Sequence, residues 1–291
     1  MVARIQTEIA CFLNRNKMIL NLPTQKTVPN RVNLHWWKMG NNRAPGGMEN
    51  LGDYLSQVVV DHMLNVYGLS WDTDVGKTKH LYAVGSILAH GYQNATVWGS
   101  GLLNRNTKKA RVCLHLQKLD VRAVRGPLTR DILLSNGQKC PEIYGDPAII
   151  LPEIYSPTSF EKKYEASVIL HHTHGYDRSS IPNYCNNIEI LTSDYKHFVD
   201  EICASNLIIS STLHGIILAE SYGIPAILLA DDGIDMFKYR DYYYGTGRPK
   251  IVVAQTVQEA LSCDPLPVPD FTNQRCELEK AFPKDLWNTG A

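Results

Sequence analysis

The sequence is short of the features that would place it quickly. It carries 29 basic and 29 acidic side chains and no formal net charge, so it lacks the surplus of Lys and Arg that a general grip on nucleic acid needs. That balance argues against a general nucleic-acid grip, so no nucleic-acid partner is expected, and leaves a local anion site open. No apolar run approaches the roughly 20 residues of a spanning helix, and charges interrupt the opening MVARIQTEIACFLNRNKMILNLP, where a signal peptide would need a continuous apolar stretch. The seven cysteines (Cys11, Cys113, Cys140, Cys185, Cys203, Cys263, Cys276) form no CxxC. An odd, scattered set fits reduced thiols better than a disulfide frame or a zinc site. The expectation is a cytoplasmic protein, with peripheral contact at the inner face of a membrane left open. Internal repeats and low-complexity tracts are missing as well.

What is present is an α/β pattern. Over 291 residues, two domains are the natural expectation. Arg31–Lys38 reads as a strand, and the glycine- and asparagine-rich stretch after it as a loop. Tyr54–Tyr67 has helical spacing, with Gly68 as its stop. HLYAVGSIL, ATVWGSGLL and LDVRAV are short apolar strands, and Pro127 suits the first turn of a helix closed by Gly137. Past a proline-bearing, charged break, ASVILHH, IEIL, NLIIS and PAILLA continue as strands, with helices over Asp194–Ala204 and His214–Tyr222. Short strands alternating with helices indicate mostly parallel sheets. The reading is an N-terminal α/β domain over 1–155, a second over 165–255, and a helical extension over 256–291.

The segment Asn206–Gly215, NLIISSTLHG, has the strongest chemical content. A buried strand ends at Ser210, and His214 and Gly215 open a helix. Ligands of open α/β sheets bind beyond the carboxyl ends of strands, where helix N-termini present free N–H groups to anions. A glycine there lets a ligand approach the backbone, and a histidine can exchange a proton near neutral pH. Helix capping without chemistry would place a histidine there equally well. Asp53, in Gly52-Asp53 at another helix start, carries the same two readings, proton transfer or capping. The cluster His171, His172 and His174 invites a metal reading. Adjacent residues of a strand point to opposite faces, and no paired carboxylates accompany them, so no metal is expected and contact with a substrate is preferred. The run Tyr239, Tyr242, Tyr243 and Tyr244 suits either stacking on sugar rings or packing on the core.

Taken in order, NLGDYLS, VWGSG, VRAVRGPLTRD before YGDPAIILP, SSTLHG leading to GIPAI, and DMFKYRDYYYGTG resemble the signature of the polysaccharide pyruvyl transferases over about residues 45–250. The resemblance implies a fold similar to GT-B enzymes, two Rossmann-like domains facing across a cleft. It implies transfer of the enolpyruvyl carbons of phosphoenolpyruvate to two sugar hydroxyls as a cyclic ketal, with no cofactor. The family's acid–base histidine maps onto His214, and an arginine onto Arg125, with Arg122 the alternative. Ser211, Thr212, Leu213 and Gly215 then fall on the donor side. Members carry Arg-Leu-His where this chain has Thr212-Leu213-His214, so Lys238, Arg240 or Arg125 would have to meet the donor's charge. Asp53 or Glu220 would supply the second acid or base. Asn50, Arg105, His172 and Tyr243 are assigned to the acceptor, a sugar that could be lipid-linked. Two alternatives stand beside this reading. One is a GT-B glycosyltransferase using a nucleotide sugar, since Asp231-Asp232-Gly233 with Ser210-Ser211 resemble sialyltransferase-type motifs, though without their His-Pro pair. The other is a non-catalytic carbohydrate-binding protein.

Overall fold

A computed structural model of the chain describes residues 27–37, 49–90, 94–104, 114, 117–172, 176 and 178–288. It is an α/β fold built on two parallel sheets. The first has strands β1 (Val32–His35), β2 (Lys79–Tyr82), β3 (Ala95–Trp98) and β4 (Asp120–Ala123) side by side in that order. Helix α1 (Leu51–Tyr67) lies between β1 and β2, and α2 (Pro127–Ser135) follows β4. A 3-10 turn (Pro147–Ile150) and the short helix α3 (Leu151–Ile154) lead out of this half.

The second sheet has the order β6-β5-β7-β8-β9, all pairs parallel. Its elements are β5 (Ser167–Ile169), β6 (Asn186–Asn187), α4 (Tyr195–Cys203), β7 (Ile208–Ser210), α5 (Leu213–Ser221), β8 (Ala226–Leu229), α6 (Phe237–Gly245), β9 (Val253–Ala254) and α7 (Val257–Ala260). Strand β8 pairs directly with β7, Ile208 opposite Ala226, so the segments leaving both strands emerge at the same edge. Among the described residues no helix is long and apolar enough to cross a membrane.

Alternation along the strands sorts the core into layers. Val168, Ile209, Ile227 and Leu229 feed an outer cluster with α7, while Ile169, Ile208 and Leu228 turn to the opposite face. In the first sheet Val97 and Val121 turn outward, and Leu34, Leu81, Trp98 and Ala123 turn inward. The inward residues of both sheets belong to one apolar cluster, together with α1 and α5. Burial on both faces follows from the near-continuous apolar strands and is what parallel sheets require. Helix α8 (Thr272–Lys280) and a 3-10 turn (Lys284–Trp287) return to the first sheet. There Trp98 Nε1 donates to Leu278 O at 2.8 Å, and Arg122 pairs with Asp285 at 2.8 Å.

Within DMFKYRDYYYGTG, Phe237–Gly245 is helical, with Phe237, Tyr239, Asp241, Tyr242 and Tyr243 buried. One expectation needs correction. His171 and His172 do not point to opposite faces. Strand β5 ends at Ile169, and beyond it the pleat no longer governs direction, so the two rings stack at 4.7 Å.

A candidate active site between the two sheets

Three chain segments converge beyond the strand ends. The first is the start of α1. Asn50 caps it, with Asp53 N–H donating to Asn50 Oδ1 at 3.4 Å, and Leu51 N–H donates across to Ile190 O at 3.0 Å. Asn50 Nδ2 also donates to His172 Nδ1 at 3.3 Å, tying α1 to the end of β5. The second segment is the turn from β7 into α5. Thr212 is the N-cap, its Oγ1 accepting from Gly215 N–H at 2.9 Å. Ser210 Oγ accepts from Thr212 N–H at 3.0 Å, and Ser211 Oγ from His171 N–H at 2.8 Å. The serine-rich turn is satisfied internally, which leaves His214 in the first turn of α5. The third segment is α6, with Lys238 as its second residue.

Two glycines make the convergence possible. A β-carbon on Gly52 would lie 2.0 Å from His214 Nδ1, and one on Gly215 would lie 2.3 Å from Ser210 Oγ. Real β-carbons do not approach so closely, so α1 can meet the imidazole only because residue 52 has no side chain. Gly52→Ala should displace His214 and lower turnover by about 10² or more, within the range that misplacing a reacting group costs. Circular dichroism and a kinetic assay together check it: lost turnover in a folded protein is the expected result.

Asn50, Asp53, Thr212, Leu213, His214 and Lys238 line one cavity of about 280 Å³. Trp37, Ser86, Ile87, Leu103, His171 and Ile190 complete the wall. Burial pushes the Asp53 carboxyl up from 3.8 to about 7, although His214 and Lys238 pull it down. Burial likewise lowers the Lys238 ammonium to about 8, with Arg125 adding to the effect. The His172 imidazole is lowered by burial. Near neutral pH the cavity therefore holds a carboxyl that can give or take a proton, an imidazole and a cation. Lys238 stands over the Tyr239 ring at 4.9 Å and, among the described residues, forms no ion pair. Such a constellation makes the cavity a candidate functional site.

The Asp53 shift has a consequence for stability. A carboxyl whose folded value is raised binds protons more tightly in the folded chain, so its contribution weakens as pH rises from about 4 through about 7. Asp53→Asn removes that loss. The variant should gain on the parent chain in thermal stability between pH 5 and 8, and a melting series against pH reads the difference.

Several residues assigned from sequence lie elsewhere. Arg125 is 1 % exposed and sits behind the cavity wall. It bonds Asp241 at 3.1 Å, Ser86 Oγ at 2.7 Å and Leu102 O at 2.6 Å. Its guanidinium is committed to the fold, so direct donor binding by Arg125 is corrected. Ser211 is buried and holds the end of β5, and Gly215 serves packing. Tyr243 is 1 % exposed and lies under the Arg248 guanidinium at 4.4 Å, so it presents no face to an acceptor. Glu220 is held by both Arg248 nitrogens, at 2.6 and 2.7 Å, and is no acid or base for the cavity. Arg240 is exposed and does not line the cavity. Arg105 and His174 lie outside the described residues. Among those described, no three His, Cys, Asp or Glu side chains are grouped to hold a metal ion.

Sequence reasoning missed Asp146. Its side chain is fully buried, and Oδ2 stands 3.7 Å from His214 Nε2. The signal was available in Gly145-Asp146-Pro147: Gly145 has φ 148°, and Asp146 Oδ1 caps the following 3-10 turn, accepting from Ala148 N–H at 3.1 Å.

The fold and cavity define an α/β protein whose histidine, carboxyls and lysine meet beyond the strand ends of parallel sheets. Residues 50–233, more than half of the chain, match the family model "Polysaccharide pyruvyl transferase", and the chain belongs to that family. Among curated relatives, it is 29% identical over 208 residues to Uncharacterized protein L143 of Acanthamoeba polyphaga mimivirus, covering 66% of this chain and 69% of that one. It is 28% identical over 155 residues to Succinoglycan biosynthesis protein ExoV of Rhizobium meliloti (strain 1021), covering 49% of this chain and 46% of that one. A solved structure of a functionally uncharacterized protein, KP1_0663 of Klebsiella pneumoniae, matches with a TM-score of 0.50 at 10% identity, over 78% of this chain and 93% of that one. The last likeness speaks to fold alone. Family membership supports a pyruvyltransferase role in polysaccharide biosynthesis.

Proposed function

We propose that the protein transfers pyruvate from phosphoenolpyruvate to a sugar as a cyclic ketal, in the cavity between the ends of β5, β7 and α1. One observation carries the reading: His214, Asp53 and Lys238 line a single cavity although they come from α5, α1 and α6. At about 280 Å³ the cavity is at the small end of ligand pockets. That favours a three-carbon phosphoester over a nucleotide sugar, the main rival.

The proton count closes on these groups. Asp53, its carboxyl raised by burial to about 7, gives its proton to the methylene carbon of the donor, and the resulting oxocarbenium-like centre is attacked by one sugar hydroxyl. His214 takes that hydroxyl's proton. The C–O bond to phosphate then breaks as the second hydroxyl adds. His214 returns its proton to the departing phosphate, and the second hydroxyl's proton restores Asp53. Two C–O bonds form, one C–O bond breaks, one proton ends on carbon and one on phosphate. Lys238 meets the donor's charge in place of the arginine missing at Thr212 and strengthens electrostatically as water is excluded. Asn50 and Trp37, which line the cavity, are assigned to the acceptor, with His172 behind them hydrogen-bonded to Asn50.

The test is incubation with phosphoenolpyruvate and a panel of aryl and lipid-linked glycosides, read by mass spectrometry. A product heavier by one pyruvate less one water supports the reading, and a sugar added from a nucleotide donor overturns it. Lys238→Met should raise the donor KM by about 10-fold or more with a smaller change in kcat, since charge-assisted contacts are worth a few kcal/mol at most. An unchanged donor KM would remove Lys238 from the donor site.

A further inference from the structure

We infer that Asp146 is the positioning residue for His214: its buried carboxylate keeps the Nε2 proton turned inward, so that Nδ1 is the nitrogen facing the reactants. What those reactants are rests on the pyruvyl-transfer reading; the pairing itself rests on geometry. Asp146 has no exposed surface, and among the described residues its Oδ2 has no hydrogen-bond partner. His214 Nε2 is likewise buried without a partner. These two complementary atoms face each other at 3.7 Å, about half an ångström beyond the longest N–H···O hydrogen bonds. Leaving either one unsatisfied is costly, and a small closing movement satisfies both.

The carboxylate cannot easily turn elsewhere. Its other oxygen accepts from Ala148 N–H at 3.1 Å, and the 3-10 turn that follows, Pro147–Ile150, is buried throughout. The opposite side of the ring, Nδ1, abuts Gly52 at the start of α1, one residue from Asp53. The ring is therefore held between the Asp146 carboxylate at Nε2 and the start of α1 at Nδ1. The charged or titratable groups around it are Asp146 behind, Asp53 from α1, Lys238 from α6 and His171 from the end of β5. Which imidazole nitrogen carries the proton is set by the bond the other nitrogen makes. A carboxylate at Nε2 selects the Nε2–H form and stabilises the imidazolium that forms when Nδ1 takes a proton.

The experiment is Asp146→Asn, which keeps the oxygen that caps the 3-10 turn and removes the charge. The wild-type and variant proteins are labelled with nitrogen-15 at histidine, and the His214 signal is assigned by its loss in His214→Gln. The wild-type neutral ring should be the Nε2–H form. The variant should lose that preference and turn over about 10- to 10²-fold more slowly. An Nδ1–H ring in the wild-type protein overturns the inference, and that spectrum decides even if the variant fails to fold. An unchanged tautomer in folded Asp146→Asn overturns it as well. Because the spectra need no substrate, an Nε2–H ring in a protein inert toward phosphoenolpyruvate would sink the transfer reading and leave the pairing standing.

Discussion

Arg125→Ala should destabilise the folded chain by about 3–5 kcal/mol, the cost of breaking a buried ion pair from one side. Both side chains have 0 % exposure and meet at 3.1 Å. The guanidinium also donates to Ser86 Oγ at 2.7 Å and to Leu102 O at 2.6 Å. Asp241 in turn accepts from Thr129 N–H at 2.9 Å and Thr129 Oγ1 at 2.6 Å. Alanine would strand a carboxylate that has lost its counter-charge but not its burial. Lysine would retain the charge without the planar fork that reaches three acceptors at once, so Arg125→Lys should recover only part of the loss. Replacing both partners, Arg125→Met with Asp241→Asn, should cost less than Arg125→Ala alone. Urea unfolding measures all three. Because Asp241 is three residues from Lys238 on α6, loosening the pair should also disturb the donor side. A variant that keeps its stability and only weakens donor binding would return Arg125 to the ligand.

The same residue shows why part of the site was hidden in the sequence. The strand-to-helix turn at Ser210–Gly215 was legible because its ingredients are contiguous: an apolar strand, capping hydroxyls, then histidine and glycine. Asp53 was legible for a similar reason, at the start of a helix closed by Gly68. Arg125 was misplaced because its partner is Asp241, 116 residues further on, and nothing in the local pattern announces so distant a pairing. The aromatic run of α6 misled for a different reason. Phe237, Tyr239, Tyr242 and Tyr243 are all buried, so the helix has apolar contacts around most of its circumference and lacks a one-sided periodicity. The partner of the Tyr242 hydroxyl, the Glu220 carboxylate, is again distant in sequence, 22 residues back. Asp146 sat in a quoted motif, but only the fold brings it behind His214.

His214→Ala should lower turnover by about 10²–10⁴-fold with the fold intact, the span that a positioned proton-transfer group contributes. His214 occupies the first turn of α5, where alanine is readily accommodated and the Thr212 cap is untouched. The side chain is 15% exposed, so its removal opens space beside Gly52 and Asp53 and uncovers little core. Stability should change far less than in Arg125→Ala, separating a chemical role from a structural one. His214→Gln keeps a polar group of similar length and no titrating nitrogen, and should be nearly as slow. The space left by alanine suits free imidazole, so added imidazole should restore part of the rate in His214→Ala and none in His214→Gln, whose side chain fills the gap. The measurement is single-turnover transfer with saturating phosphoenolpyruvate. Near wild-type turnover in His214→Ala would take the imidazole out of the chemistry and overturn its role as the base for the first hydroxyl.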